Sequence, residues 1–136
     1  MHTTEFLIEN GFDMEMKVED DLTVTYHDPC RLGRQMGIYE EPRQLVAGVD
    51  GVELVEMEHS GEDAMCCGVS SMMSCNENAR ALRVSRMEEI RNTGADMMIT
   101  SCPKCVSHFE CLKFEGDERH DIEILDVVSF LSLIHI

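Results

Sequence analysis

Five cysteines define the chemistry open to this chain. Cys30, the adjacent pair Cys66 and Cys67, and Cys102 with Cys105 follow the spacing C-x35-C-C-x34-C-x2-C. Thiolates are soft ligands for zinc or iron, and a thiolate is also the nucleophile of disulfide exchange. A structural zinc takes four ligands in a tetrahedron, commonly from two spaced pairs. Here one pair is spaced, the other is adjacent, and a fifth sulfur remains. Adjacent cysteines reach one small ion awkwardly, but they can address two irons of a cluster. A dithiol reading also stands, because Cys102-Pro103-Lys104-Cys105 has the form of a thioredoxin-type pair at a helix start. It leaves three sulfurs without a role. Cys75 and Cys111 lie outside the pattern.

The rest of the chain limits where such chemistry takes place. It has 136 residues, with 11 Lys+Arg against 27 Asp+Glu and a formal net charge of -16. A chain of this length buries roughly two thirds of its unfolded surface and needs no disulfide staples. So acidic a protein repels nucleic acid and anionic membranes. No apolar run reaches ~18 residues, so no transmembrane segment is expected, although a membrane-bound partner is compatible with this. The start, Met1 to Phe6, lacks the basic and apolar regions of a signal peptide. The expected compartment is therefore the reducing cytoplasm, where seven cysteines, an odd number, do not read as disulfides. The eleven methionines read as packing.

The elements that position the cysteines follow from periodicity and punctuation. Short β-rich runs alternate with helical stretches, the pattern of a single α/β domain with a mostly parallel sheet flanked by helices. Residues 1–21 read as an N-terminal helix, capped by Thr3 or Thr4 and ending at Gly11, with a connecting segment. Residues 22–136 read as the cysteine-rich domain. Strands are expected over Leu22–His27, Val52–Met57, Ala95–Ile99 and Ile122–Leu125. Helices are expected from Pro42 to Ala47, from Glu77 to about Asn92 with Asn76 as cap, from Pro103 through Leu112, and over Val127–Ile134. Cys30, the pair, and Cys102 with Cys105 each follow one of the first three strands. The intervals match one βαβ unit each, so all five fall on the carboxyl edge of the sheet, where ligand sites form.

Local features add to this. Pro29 and Pro103 stiffen two of the sulfur-bearing turns, and Cys102 stands at a helix N-terminus that favours the thiolate. Gly68 lets the backbone pass close to a bulky group. Lys104, within the C-x-x-C, can attract an anionic substrate or balance cluster charge. His27 either makes a local structural bond or donates to a cluster sulfur. Arg80, Arg83 and Arg86 share one side of the long helix. They form either a solvated face that offsets nearby acids or a cationic wall beside an anionic cluster or substrate. Asp28 reads as a turn residue, and His59, His108 and His120 as surface residues.

Together, His27-Asp28-Pro29-Cys30-Arg31-Leu32-Gly33-Arg34, Cys66-Cys67-Gly68 and Cys102-Pro103-Lys104-Cys105 resemble the CCG (cysteine-rich) domain of the heterodisulfide reductase family, found in its separate B-type subunits and in its fused catalytic subunits. The resemblance runs from about Val24 to Val128. Its relatives include iron-sulfur subunits of glycolate, lactate and glycerol-3-phosphate oxidoreductases. It implies a noncubane 4Fe-4S cluster held by Cys30, Cys66, Cys67, Cys102 and Cys105, with zinc as the alternative metal, and no role for Cys75 or Cys111. It also implies an oxidoreductase component that reduces a small-molecule disulfide, such as the coenzyme M-coenzyme B heterodisulfide. A ferredoxin-like or flavin subunit would supply the electrons. Family proteins usually carry two CCG domains, often with a module of cubane clusters, so the single ligand set here implies a fragment or one component of a larger assembly. Many relatives have a glycine-rich run after the pair, where this chain has Val69-Ser70-Ser71-Met72-Met73. The alternatives are a noncatalytic zinc- or cluster-stabilised module of a flavin-dependent dehydrogenase complex, and a metal-free thiol-disulfide protein.

Overall fold

β-branched and apolar runs become strands that pair only in parallel. The computed structural model describes residues 1–11, 16–69, 76–116 and 121–134. Its strands are β1 (Lys17–His27), β2 (Asp50–Val55), β3 (Met97–Thr100) and β4 (Glu123–Asp126), in the order β2-β1-β3-β4. The expected parallel α/β architecture is thus the one the chain adopts. β1 begins before Leu22, because Lys17 pairs with Asp50 ahead of a register shift. β2 stops at Val55, short of Met57, and β3 starts at Met97, where pairing with Val24 begins.

Each crossover is helical: α2 (Glu40–Ala47), α3 (Glu77–Asn92) and α4 (Pro103–Phe114) link successive strands, α1 (Thr3–Glu9) precedes the sheet and α5 (Val127–Leu133) follows it. The N-cap of α1 is His2, not a threonine: its ring accepts the Thr4 N–H while Glu5 accepts the His2 N–H, a reciprocal capping box. Asn76 caps α3 as expected, its side chain accepting from the Ala79 N–H at 3.0 Å. Among the described residues, no helix is long and apolar enough to cross a membrane.

Alternation along the strands divides the core in two. Val24, Tyr26 and Ile99 pack with Leu45 and Val46 of α2 and Phe130 and Leu131 of α5. Met98 and Ile124 face the other side, against Met87 and Ile90 of α3 and Phe109 and Leu112 of α4. Burying each of these large side chains contributes about 1.5–3 kcal/mol. By the same parity His27 stands on the α3/α4 side, its ring edge-on to Phe109 at 5.2 Å between centroids. Sheet order reverses between β1 and β3: α2 leaves β1 toward one face and α4 leaves β3 toward the other. The carboxyl ends of these neighbours therefore part to form a crevice.

The long helix corrects one expectation. Ala79, Arg83, Arg86 and Ile90 repeat at helical spacing and are all buried, with Arg83 and Arg86 0% exposed. The solvated-face reading therefore fails for two of the three arginines, and only Arg80 lies at the surface, in an ion pair with Glu115. A buried guanidinium costs several kcal/mol of desolvation unless it is paired. Arg83 donates to the His108 carbonyl at 3.2 Å and pairs with Glu115. Arg86 donates to the His59 carbonyl at 2.8 Å and pairs with Glu89.

Candidate metal centre

The first two sulfur-bearing loops are tied together by polar clamps before the sulfurs themselves come into play. Asp28 is more than a turn residue. Its carboxylate accepts from both terminal nitrogens of Arg43, at 2.7 and 2.8 Å, and from the Gly61 N–H at 2.8 Å. Arg43 also bonds Glu56 at 2.7 and 3.0 Å and the Tyr39 carbonyl at 2.8 Å, and it lies over the Tyr26 ring at 5.1 Å. One α2 side chain thus joins the exit of β1 to the exit of β2. On the far side of Cys30 the chain forms a π-helical turn over Arg31–Gln35, and Arg34 there donates to the Ala64 carbonyl. Gly33 lets the Tyr39 ring pack close to this turn, since a Cβ there would stand 2.5 Å from the ring and push it aside.

The sulfurs meet at the crevice. Cys67 and Cys105, both buried, have their Sγ atoms 3.3 Å apart. The Gly68 N–H donates to Cys66 Sγ at 3.3 Å. Cys102 is the N-cap of α4, and Pro103 supplies the first helical residue, where its missing N–H costs nothing. Two thiols in contact cannot both ionise. Hydrogen bonds from Cys105 and then Cys66, with His27 and the Val69 N–H adding to them, push the Cys67 thiol far down against burial. Cys105, placed between Cys102 and Cys67, is pushed up and keeps its proton. Cys102 is lowered to about 6, first by its bond from Cys105 and then by the backbone N–H groups of Cys105 and Lys104. In reduced protein without metal, peptide-resolved iodoacetamide alkylation of Cys102 should therefore rise through about pH 6. A midpoint in the ordinary thiol range, above about pH 8, would contradict this electrostatic picture.

Of the residues singled out from sequence, Cys66, Cys67, Cys102, Cys105 and His27 are brought together. A ring nitrogen of His27 and the sulfurs of Cys67 and Cys105 all lie within 4.8 Å of one another. Burial holds His27 below its usual basicity, so the ring is neutral. Cys30 stands at the flank, in a crevice it shares with Met65, Ala64 and Gly61. Gly68 has a φ of +95°, and a Cβ there would meet the Ala79 carbonyl at 2.7 Å, so the pair's loop lies directly on α3. Arg86 lies behind His27, its Nε donating to His27 Nδ1 at 3.1 Å, whereas Arg83 and Arg80 serve the α3–α4 contact.

His108 is buried, not a surface residue, because α4 turns it toward Gly68. His59 is half-exposed and bonds Glu89 at 2.8 Å. Lys104 is exposed and borders an open, mainly apolar pocket of about 430 Å³ with Val69, Pro103, Ser107, His108 and Cys111. Cys75 and His120 lie outside the described residues. Sequence reasoning missed Arg43 and Glu89. Glu89 carried a legible signal, its i,i+3 spacing from Arg86, whereas Arg43 carried none.

The donor set suits a soft, electron-rich group. Four thiols from two loops face one another, Cys30 lies at the flank in the crevice with Met65, and buried Arg86 has an Nη2 with no hydrogen-bond partner among the described residues. Cationic charge behind thiolates stabilises an anionic sulfur-bound metal group.

Comparison with known proteins agrees with this chemistry. The family model for the CCG cysteine-rich domain matches residues 24–110. The chain is 36% identical, over 97% of its length, to one subunit of the dihydromethanophenazine:CoB–CoM heterodisulfide reductase of Methanosarcina acetivorans, covering 33% of that protein. It is 35% identical, over 96% of its length, to one subunit of the fumarate reductase (CoM/CoB) of Methanothermobacter marburgensis, covering 26% of it. The "Probable iron-sulfur-binding oxidoreductase FadF" of Bacillus subtilis is 31% identical over 96% of the chain and is covered over 19% of its length. The chain thus spans a third or less of these relatives.

Proposed function

From the premise that this chain belongs to the CCG cysteine-rich domain family, we propose that it is the cluster-binding part of a heterodisulfide reductase-like iron-sulfur oxidoreductase. The observation that carries the reading is the meeting of Cys66, Cys67, Cys102 and Cys105 at the carboxyl edge, with Cys30 in the flanking crevice that it shares with Met65. These five cysteines hold a noncubane 4Fe-4S cluster. When bound, it supplies the two one-electron deliveries that reductive cleavage of a disulfide needs. The chain's own residues then have distinct tasks. Asp28 and Arg43 fix the separation of the first two loops. Phe109, Met87 and Met98 close the sheet side of the site to water. Lys104 and the pocket beside it receive the anionic, partly apolar body of a small disulfide.

The electrons come from a ferredoxin-like or flavin subunit, and a membrane-bound partner fits this arrangement. The working compartment is the cytoplasm. Two observations favour a second reading, that of a metal-free dithiol protein: the 3.3 Å contact between Cys67 and Cys105 and the lowered Cys102 thiol are also what thiol-disulfide exchange needs.

Anaerobic preparation with iron and sulfide separates these readings. The expected result is a brown protein holding stoichiometric iron with acid-labile sulfide, which turns over a disulfide when given an artificial one-electron reductant. A colourless chain with one tightly held zinc would sink the cluster, and loaded protein without turnover would reduce the domain to a noncatalytic module.

A further inference from the structure

Behind the sulfurs, Arg86, His27 and Cys67 form a buried line whose donors and acceptors leave only one arrangement of protons. A guanidinium only donates. Because Arg86 Nε donates to His27 Nδ1 at 3.1 Å, Nδ1 must be the bare, accepting nitrogen of a neutral ring, and the ring proton is on Nε2. The line is fixed at each end. Arg86 is held by Glu89 and the His59 carbonyl, the imidazole stands edge-on to Phe109, and β1–β3 pairing holds the His27 backbone opposite Thr100, whose hydroxyl donates to the His27 carbonyl at 2.9 Å.

His27, Cys67 and Cys105 by themselves look like three ligands of one metal ion. Ligation through Nε2 would move the proton to Nδ1, and two N–H groups would then point at each other in a site from which water is excluded. Losing that hydrogen bond leaves a buried donor unsatisfied.

We propose that Arg86 keeps His27 out of the ligand set and makes it an N–H donor to the Cys67 sulfur, a positioning pair that raises the electron affinity of whatever group Cys67 holds. The second half rests on the proposed function; the first half does not. Hydrogen bonds to ligand sulfur withdraw electron density and raise reduction potentials. In this pair Arg86 sets the tautomer and His27 makes the contact.

The test has two arms. In the full chain, reduced, free of iron and carrying 15N-labelled histidine, NMR should show His27 protonated on Nε2 with a bare Nδ1, and Arg86→Met should release a mixture of tautomers. In iron-loaded protein, Arg86→Met and His27→Phe should each retain iron and lower the reduction equilibrium constant about tenfold, or about 59 mV for a one-electron couple. The double variant should fall no further than Arg86→Met alone, and Arg86→Lys, which keeps a charged donor, should recover most of the loss. A wild-type ring protonated on Nδ1 would overturn the proposal, as would His27→Phe losing iron as a ligand variant does. A wild-type chain that takes up no iron would overturn the proposed function, while the NMR arm still decides the tautomer and requires no variant to fold.

Discussion

Cys67→Ser and Cys105→Ser should strip the anaerobically loaded chain of most of its iron, whereas Cys111→Ser should leave the iron content unchanged. Both residues are buried, in contact with each other, and joined through hydrogen bonds to Cys66 and Cys102, so removing either takes a soft donor from the centre of the set. Loss of a mere supporting contact costs roughly 10–100-fold in metal affinity, and loss of a direct ligand costs no less. Cys66→Ser and Cys102→Ser should follow the same course. Cys30→Ser should show the smallest loss of the five, because Cys30 sits at the flank beside Met65. Cys111 donates instead to the Ser107 carbonyl within its own helix, at 3.3 Å. Iron and acid-labile sulfide per chain decide the matter. If Cys111→Ser lost as much iron as Cys67→Ser, the ligand assignment would be wrong.

Gly68→Ala should destabilise the reduced, iron-free chain by about 2–4 kcal/mol, with Gly37→Ala costing about 1 kcal/mol. Both glycines have positive φ, +95° and +72°, and the left-handed backbone charges an alanine about 1–2 kcal/mol at either place. They differ in room. A Cβ on Gly37 meets nothing within 4 Å, while one on Gly68 meets the Ala79 carbonyl at 2.7 Å, an atom fixed in the first turn of α3. The loop must therefore lift, carrying Cys66 and Cys67 with it, and iron loading should fail in parallel. Urea midpoints at unchanged slope measure the difference. Equal losses at the two glycines would mean that backbone strain alone governs the site.

These expectations draw on features of unequal visibility in the sequence. The carboxyl-edge placement of the cysteines was readable, because β-branched runs ending in Asp28-Pro29 or followed by Pro103 mark strand exits, and a parallel sheet sends all such exits to one edge. The limits of α3 were readable too, since Asn76 offers a side-chain acceptor and Gly94 follows the last turn. The roles of Arg83 and Arg86 were not. Charge argued for solvent, yet their spacing from Ala79 and Ile90 put them on the buried stripe, and the i,i+3 partner Glu89 together with the tertiary partners Glu115 and His27 makes that stripe tolerable. The Arg43 clamp and the π-helical turn after Cys30 left no trace in composition or period. The clamp depends on Asp28 and Glu56 at two strand exits, and the turn on how the Tyr39 ring folds back against Gly33.

The sheet order β2-β1-β3-β4 also governs when the sulfur site can exist during folding. Cys30, Cys66 and Cys67 belong to the first βαβ unit, which can close on local contacts. Cys102 and Cys105 arrive only when β3 passes β2 and docks along the open edge of β1, a non-local pairing that must meet its loop-closure entropy before any contact repays it. The site is therefore a late product of folding, and the nascent chain holds only part of its sulfur set until β3 has docked. A group that binds across both halves favours the docked state by mass action, so loading acts as the latch on the last long-range step of folding.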